Sequence, residues 1–534
     1  MATALQPTED SPESSVQSSG SAGGIGALAA LGAGIELLRS QAAEAIPVGD
    51  LGGRAAVHVF NRLGYGPRPG DVGLILSRPG GLDRYISEQL DPGSDPALDK
   101  RMEAFPYLNW TVPETYAFYL IDQQTRADAD PNNNTNYIGT MQQQLRSGQI
   151  VRSVHSRNQL LESMTWFWFN HFNVNLPDDY VQYSAHDYER QLRDNALGKF
   201  RDVLRVTAHH PAMMSYLDNY LSTISRYDRN GRLTSGLNEN YGRELMELHT
   251  LGVDAGYTQD HVYNAAIILT GWGLNRAQGK FAFTPGNHDP RATEVFGFSV
   301  PAGKMQESGE GLLDFLSRHE KTAEFISTKL VRYFVSDDPP PGLVRKAATT
   351  YLKTDGDIAS ILRTIIDSSE FWAEALAPAR YKDPFQYVVS TLRAVDADVQ
   401  DARSLTNVLA NMGQPQYNCI PPTGWTTKSR EWVNASSQLF RMNFALALVS
   451  NVTGTNVNMP YQGITVDIVK TLRDHGVDPM KPNDIAAFFN REVFGNRMSA
   501  STLEAVRSLG SAGAVTLTNR VTGLLMAGPE AQGR

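Results

Sequence analysis

From about residue 54 onward, apolar residues recur along the chain with the period of a helix. In QLLESMTWFWFNHFNV, the residues Leu160, Met164, Phe167, Trp168, His171 and Phe172 fall on one face, because steps of three and four return a helical side chain to the same side. HEKTAEFISTKLVRYFV repeats the stripe with Ala323, Ile326, Leu330 and Phe334. GDIASILRTIIDSSEF does so again with Ile358, Leu362, Ile365 and Ile366, and Asp357 stands where an N-cap belongs. Alternation of period two, the mark of a half-buried strand, is scarce. The best short-strand candidates flank KFAFTP (280–285) and EVFGFSV (294–300).

Breaks between these stripes are short. TRADADPNNNTNYIG (125–139) reads as an exposed loop, SDDPPPG (336–342) interrupts two helices because consecutive prolines cannot continue one, and NCIPPTGW (418–425) is a further irregular loop. No repeat of 30–45 residues is visible, which argues against a solenoid. The pattern predicts a mainly α fold: a large multi-helix globular body with at most a small β element near 280–300. Residues 1–50 form a loose N-terminal tail in this reading, and 51–534 a single helical domain, with 336–342 the place where two lobes would divide.

Composition narrows the class. The 534 residues are 41% hydrophobic, enough for a sizeable core, and 48 Lys+Arg against 57 Asp+Glu leave a net charge of −9, which argues against a general nucleic-acid binder. The single cysteine, Cys419, excludes an internal disulfide and any zinc site built on cysteines. Residues 1–21 are rich in Ser, Gly, Pro and Glu and are expected to be disordered and dispensable. AGGIGALAALGAGIELL (22–38) is mostly Gly and Ala, is interrupted by Glu36, and precedes the first basic residue, Arg39. That order lacks the basic n-region of a secretory signal, and no stretch is long and apolar enough to span a bilayer. The default expectation is cytoplasmic.

The densest polar cluster is LNENYGRELMELHTLG (237–252), read as a helix of about three turns with Asn238 or Asn240 as N-cap and Gly252 just past its end. At about 100° per residue, Asn240, Glu244, Glu247 and Leu251 share one face, and Gly242, Leu245, Met246 and His249 share another. Glu239 and Arg243 at i, i+4 suit a solvated surface pair. Yet two asparagines, three carboxylates, a tyrosine, an arginine and a histidine occupy 12 residues, which is not the Lys/Glu mixture of an ordinary solvated face. Carboxylates beside amides and aromatics are what glycoside hydrolysis requires, one acid protonating the leaving oxygen and a second carboxylate serving as base or nucleophile.

Other candidates lie on separate segments. His171 sits on an apolar face beside Trp166 and Trp168, where it is either a satisfied core histidine or the floor of a pocket. His209 and His210 precede Pro211 and suit a turn, while His288 and Asp289 lie on the turn-rich TPGNHDP loop, which suits ligand contact. No phosphate loop, zinc helix or nucleophile elbow is present. NRLGYGPRPGD (61–71) has the wrong spacing for a dinucleotide fingerprint, and Cys419 has no adjacent histidine to make it a nucleophile.

In order along the chain, HVFNRLGYGPRPGDV, WFWFNHFNV, HPAMMSYLDN, LNENYGRELMELHTLGVDAGYTQDHV, LTGWG, the NHD loop, TAEFISTKLVRYFV and PPTGW…WVN resemble the bacterial family known as domain of unknown function 1800. The resemblance covers most of residues 54–450. It implies a large, mainly helical protein, often exported, whose genes neighbour those of a phosphatase/sulfatase-like family, a source of a partner; it supplies no reaction. The residues themselves lead to a hydrolase acting on a glycan or small-molecule substrate without a cofactor. Glu244 or Glu247 would be the general acid and Glu239 the second carboxylate or an orienting group. Asn238, Asn240, Arg243, His249, His171, His288 and Asp289 would line the site, with Trp168 and Trp272 stacking on sugars. A metal-dependent enzyme using His171, His249, His288 and Asp289 stays open beside it, as does a non-catalytic binding or assembly protein whose polar helix is a hydrogen-bond network.

Overall fold

The computed structural model describes residues 52–127, 136–230, 233–376, 380–450, 461–510 and 512–534. The expectations for residues 1–50 and for most of the 125–139 loop therefore lie outside the described residues. Within them the protein is mainly α, with 25 α-helices and a few two-stranded ladders. The predicted stripes are the core. Leu160, Met164, Trp168 and Phe172 are fully enclosed, as are Ala323, Ile326, Leu330 and Phe334 and, two helices later, Ile358, Leu362 and Ile365. Helix starts follow their local chemistry: Asp357 accepts from the Ser360 amide, and Asp383 and Gln386 form a reciprocal capping box around Pro384.

Gln159–His171 is buried on nearly every side, its buried Glu162 ion-paired with Arg193 at 2.7 Å, and it runs through the interior against Val181–Asn195 and Tyr137–His155. Helices Glu320–Phe334 and Pro341–Lys353, on either side of the proline break, pack directly on each other. Two antiparallel ladders fall where the sequence placed β structure: Trp272–Asn275 with Lys280–Phe283, in the register Trp272 opposite Phe283, and Thr293–Val295 with Phe298–Val300. Two more lie elsewhere and correct the expectation of a single β region: Arg226–Tyr227 with Leu233–Ser235, and Asp398–Val399 with Ile464–Thr465. Runs of two or three residues are too short to show a period of two, so the alternation could not reveal them. Among the described residues no helix is long and apolar enough to cross a membrane.

Buried guanidinium groups tie distant helices together. Arg534 donates from Nε to Asn61 O at 3.0 Å, from Nη2 to Arg62 O at 3.0 Å and from Nη1 to Tyr333 O at 3.2 Å. These carbonyls belong to the last turns of Gly52–Leu63 and Glu320–Phe334, where no intrahelical donor remains for them. Arg393 likewise donates to Val154 O near the end of Tyr137–His155 and to Gly66 O in the following loop region of the first described helix.

Replacing Arg534 by Lys should destabilise the protein by about 1–3 kcal/mol, because one ammonium cannot span three diverging carbonyls and leaves buried acceptors unmatched. Arg534→Met should cost more. Urea midpoints of the two variants, compared with the parent, check the order.

Candidate functional site

The polar block 237–252 is not one regular helix. Asn240–Glu244 is α-helical, and Leu245–His249 continues it as a π turn. The Thr250 hydroxyl donates to Leu245 O and the Gly252 amide to Met246 O, so the segment closes on wide rather than i to i+4 bonds. A π turn carries more residues than 3.6, so angular positions counted at 100° per residue slip along it. Gly252, at φ +86, ends the segment as expected of a residue past a helix terminus. Neither asparagine caps in the expected way: Glu239 occupies the N-cap without a side-chain bond, while Asn238 Oδ1 accepts from the Asn240 amide at 2.9 Å. Gly242 sets the depth of the block, since a Cβ there would lie 2.9 Å from the amide nitrogen of Ala266 on Gln259–Ile268.

The expected inner face, Gly242, Leu245, Met246 and His249, is buried. On the outer side a ladder of polar bonds forms. Arg243 pairs with Glu239 at 3.0 Å and with Glu247 at 3.6 Å, and Gln259 donates to Glu239 at 2.8 Å while accepting from Arg243. Glu244 stands apart. It is half-buried, and its carboxylate accepts no hydrogen bond and makes no ion pair among the described residues. Burial raises its pKa above the ordinary carboxylate range, the Glu247 charge adds to that, and Arg243 offsets part of it. Two partly exposed tyrosines lie within reach of the Glu244 charge: Tyr216, whose hydroxyl donates to Ile420 O and is raised by burial, by Asp178 and least by Glu244, and Tyr257, raised by burial, then by Glu247 and less by Glu244.

Beneath the block lies a second polar group. His171 stacks under Phe167 and joins His249 and Lys329: its Nε2 donates to His249 O at 3.1 Å, and its Nδ1 accepts from Lys329 Nζ at 2.7 Å. The arrangement requires a neutral His171, and burial together with the Lys329 charge holds its pKa well below the usual histidine range. Burial, aided by Arg332, lowers Lys329 to about 7. His249 is lowered to about 3 by burial and then by Lys329, and neither of its ring nitrogens has a hydrogen-bond partner. It packs against Phe172 and Tyr241.

The remaining candidates take structural positions. His288 places Nδ1 2.8 Å from Thr270 O and Nε2 3.0 Å from Lys304 O, pinning its loop at two points. Asp289 is buried and pairs with Arg291, which with burial countered by these bonds leaves its pKa lowered. Gly271, which accepts from the Thr284 amide, donates its own amide to Ser222 O, and the Ser222 hydroxyl accepts from the Asn238 amide and donates to Asn238 O, which joins this region to the polar block. Trp168 and Trp272 are both fully buried, Trp168 donating to Ala196 O and Trp272 pressed against Gly309. Neither presents a face to a sugar, which corrects the stacking role. Among the described residues no three or more His, Cys, Asp or Glu side chains come together in a way that could hold a metal ion. His171, His249, His288 and Asp289 therefore do not form the ligand set of the metal-dependent alternative, because the first and third already have both ring nitrogens engaged.

Three residues of this region escaped the sequence reading. Tyr216, Tyr257 and Lys329 all lie within the quoted motifs HPAMMSYLDN, GYTQ and TAEFISTKLVRYFV. The available signal was a lysine one position before a core leucine on an otherwise apolar stripe. A family model described as a protein of unknown function, DUF1800, matches residues 58–533. No curated protein and no solved structure matches the chain.

Lys329 makes stability depend on pH in a defined direction. Between about pH 7 and its ordinary value near 10.5, the unfolded chain binds a proton that the folded chain lacks, so this group's contribution to stability rises with pH. Below pH 7 its burial penalty is complete. Melting curves of the parent and Lys329→Met across pH 6–10 should diverge, the parent gaining stability relative to the variant as pH rises; parallel curves would contradict the assignment.

Proposed function

The chain belongs to the DUF1800 family, and from the geometry of its carboxylate block we propose that it is a hydrolase cleaving a polysaccharide or other glycan by carboxylate acid/base catalysis. Glu244 carries the reading. A general acid must hold its proton near the working pH, and a half-buried carboxyl without a hydrogen-bond partner, raised by burial and by Glu247, is suited to that task. Glu247, ion-paired to Arg243 at 3.6 Å, is the second carboxylate, and Glu239 orients Arg243 and Gln259. Asn238, Asn240 and Arg243 supply donors and acceptors for hydroxyl groups. Tyr216 and Tyr257, rather than the two buried tryptophans, offer aromatic surface beside the acid.

A second reading has its own support. The bonds among Glu239, Arg243, Glu247 and Gln259 form a connected network, as a non-catalytic binding or assembly protein would use to fix a surface. The two readings part at Glu244, which lies outside that network.

Glu244→Gln should lower turnover on a panel of polysaccharides and aryl glycosides by about 10²–10⁴-fold while leaving the melting temperature unchanged or raised at neutral pH. The amide keeps the shape, loses the transferable proton and removes a buried charge that has no partner. The parent's rate should fall as pH rises through the elevated pKa of Glu244, since the acid is active only when protonated. Unchanged turnover with a stability loss of about 1–3 kcal/mol in Glu247→Gln would favour the network reading.

A further inference from the structure

Arg68 and Asp71 of the glycine-rich segment NRLGYGPRPGD stand in the wall of a cleft of about 700 Å³ remote in sequence from the carboxylate block. Five arginines line it, Arg68, Arg78, Arg84, Arg157 and Arg393, against three carboxylates, Asp71, Glu88 and Asp91. In a chain of net charge −9 this is a local excess of positive charge. The pairing inside the cleft does not remove it. Glu88 alone serves both Arg78, at 2.8 Å, and Arg84, at 2.9 Å. Asp71 is occupied by the Arg68 amide at 2.8 Å and by Arg393 at 3.4 Å. The Arg157 guanidinium is exposed above Gly93 and makes no hydrogen bond or ion pair among the described residues. Arg68 spends Nη2 on Val154 O at 2.8 Å and holds Nη1 4.0 Å from Asp396, while its buried Nε has no partner.

The wall is held in place. Gly66 and Gly70 adopt φ of +93 and +88, which lets the chain turn twice around Arg68, and the buried Arg393 clamps Gly66 O at 2.6 Å. His155, on the floor, accepts from the Val399 amide at Nε2 and lies 2.9 Å from Arg68 at Nδ1. Burial and the charges of Arg68 and Arg101 lower its pKa to about 3, so it stays neutral and the positive charge of the cleft is arginine alone. Guanidinium forks match the oxygens of phosphate and sulfate two at a time, and a cleft of this volume has room for more than the anion. Leu74 and Ile75 give the organic part an apolar wall.

We propose that this cleft binds a small phosphate or sulfate monoester, its anionic head taken by Arg157 and Arg68 and its organic part lying along Leu74 and Ile75. This site is separate from the carboxylate block, and its fate does not depend on the activity assigned there.

Isothermal titration of the full chain with glucose 6-phosphate, glucose 6-sulfate, inorganic phosphate and glucose tests it. At least one ester should bind saturably and more tightly than glucose, and binding should weaken with added salt. Arg157→Gln should weaken it by about tenfold or more at an unchanged melting temperature, since that side chain holds nothing else in place. Arg507→Gln, an exposed arginine outside the cleft, should bind like the parent. The ester preferred identifies the head group. Neither ester binding better than glucose, inorganic phosphate binding without either ester, or equal binding by the Arg157 and Arg507 variants would overturn the proposal.

Discussion

The body is held together by side chains that donate into carbonyls left over where helices end. Every α-helix leaves its last carbonyls without an intrahelical donor, and the 25 helices of the described residues, packed on one another, bury many of them. Arg534 serves the ends of two helices at once, and Arg393 serves the end of Tyr137–His155. Tyr351 donates to Ser317 O, Tyr387 to Met526 O, Tyr188 to Phe172 O and Asn219 to Leu269 O, each at or just past the end of a helix. A buried guanidinium normally demands a carboxylate. Here the partial negative charge of helix C-termini, concentrated in those carbonyls, stands in for one. Arg534 is buried with no carboxylate partner among the described residues, and the Tyr333 ring lies against its guanidinium group.

The same device shapes the candidate site. His171 donates to His249 O at the end of the π turn, and that bond fixes the tautomer in which Nδ1 accepts from Lys329. The π turn exists within tight limits. Gly242 must lie against the backbone of Ala266, and Gly252 must leave the segment under the ring of Phe325, so extra backbone between them is absorbed as a wider turn. The outcome is a helix with a buried, nearly charge-free inner face and a polar outer face, from which Glu244 emerges half-buried and unpaired. Its raised pKa follows from that placement, with burial the larger cause and the neighbouring Glu247 the smaller.

Motifs that read as one feature in the sequence divide into different physical roles. His288 and Asp289 looked like loop residues available to a ligand, but the histidine is spent on two carbonyls and the aspartate on Arg291. Trp272 looked like a stacking platform, but the absence of a Cβ at Gly309 lets that helix close over the indole. NRLGYGPRPGD, unfit for a dinucleotide, gives Arg68 and Asp71 to an arginine-lined cleft whose other members come from residues 60, 74–93, 155–159 and 393. No local pattern could join those segments, because arginines tens to hundreds of residues apart carry no shared periodicity.

The sequence by itself determined the helical class, the buried stripes of Gln159–His171, Glu320–Phe334 and Ile358–Ile366, the Asp357 cap, the stop at Gly252 and the family, because each rests on contacts between residues near one another or on a long ordered set of motifs. It also marked residues 237–252 as the densest polar block. Only the tertiary structure decided which members of that block are exposed and which are spent. Glu239 and Glu247 share Arg243, Glu244 does not, and Lys329 arrives from a helix about eighty residues away to meet His171 and His249. Burial and charge pairing are properties of the space around a side chain, and that space is built by segments whose approach no single stretch of sequence encodes.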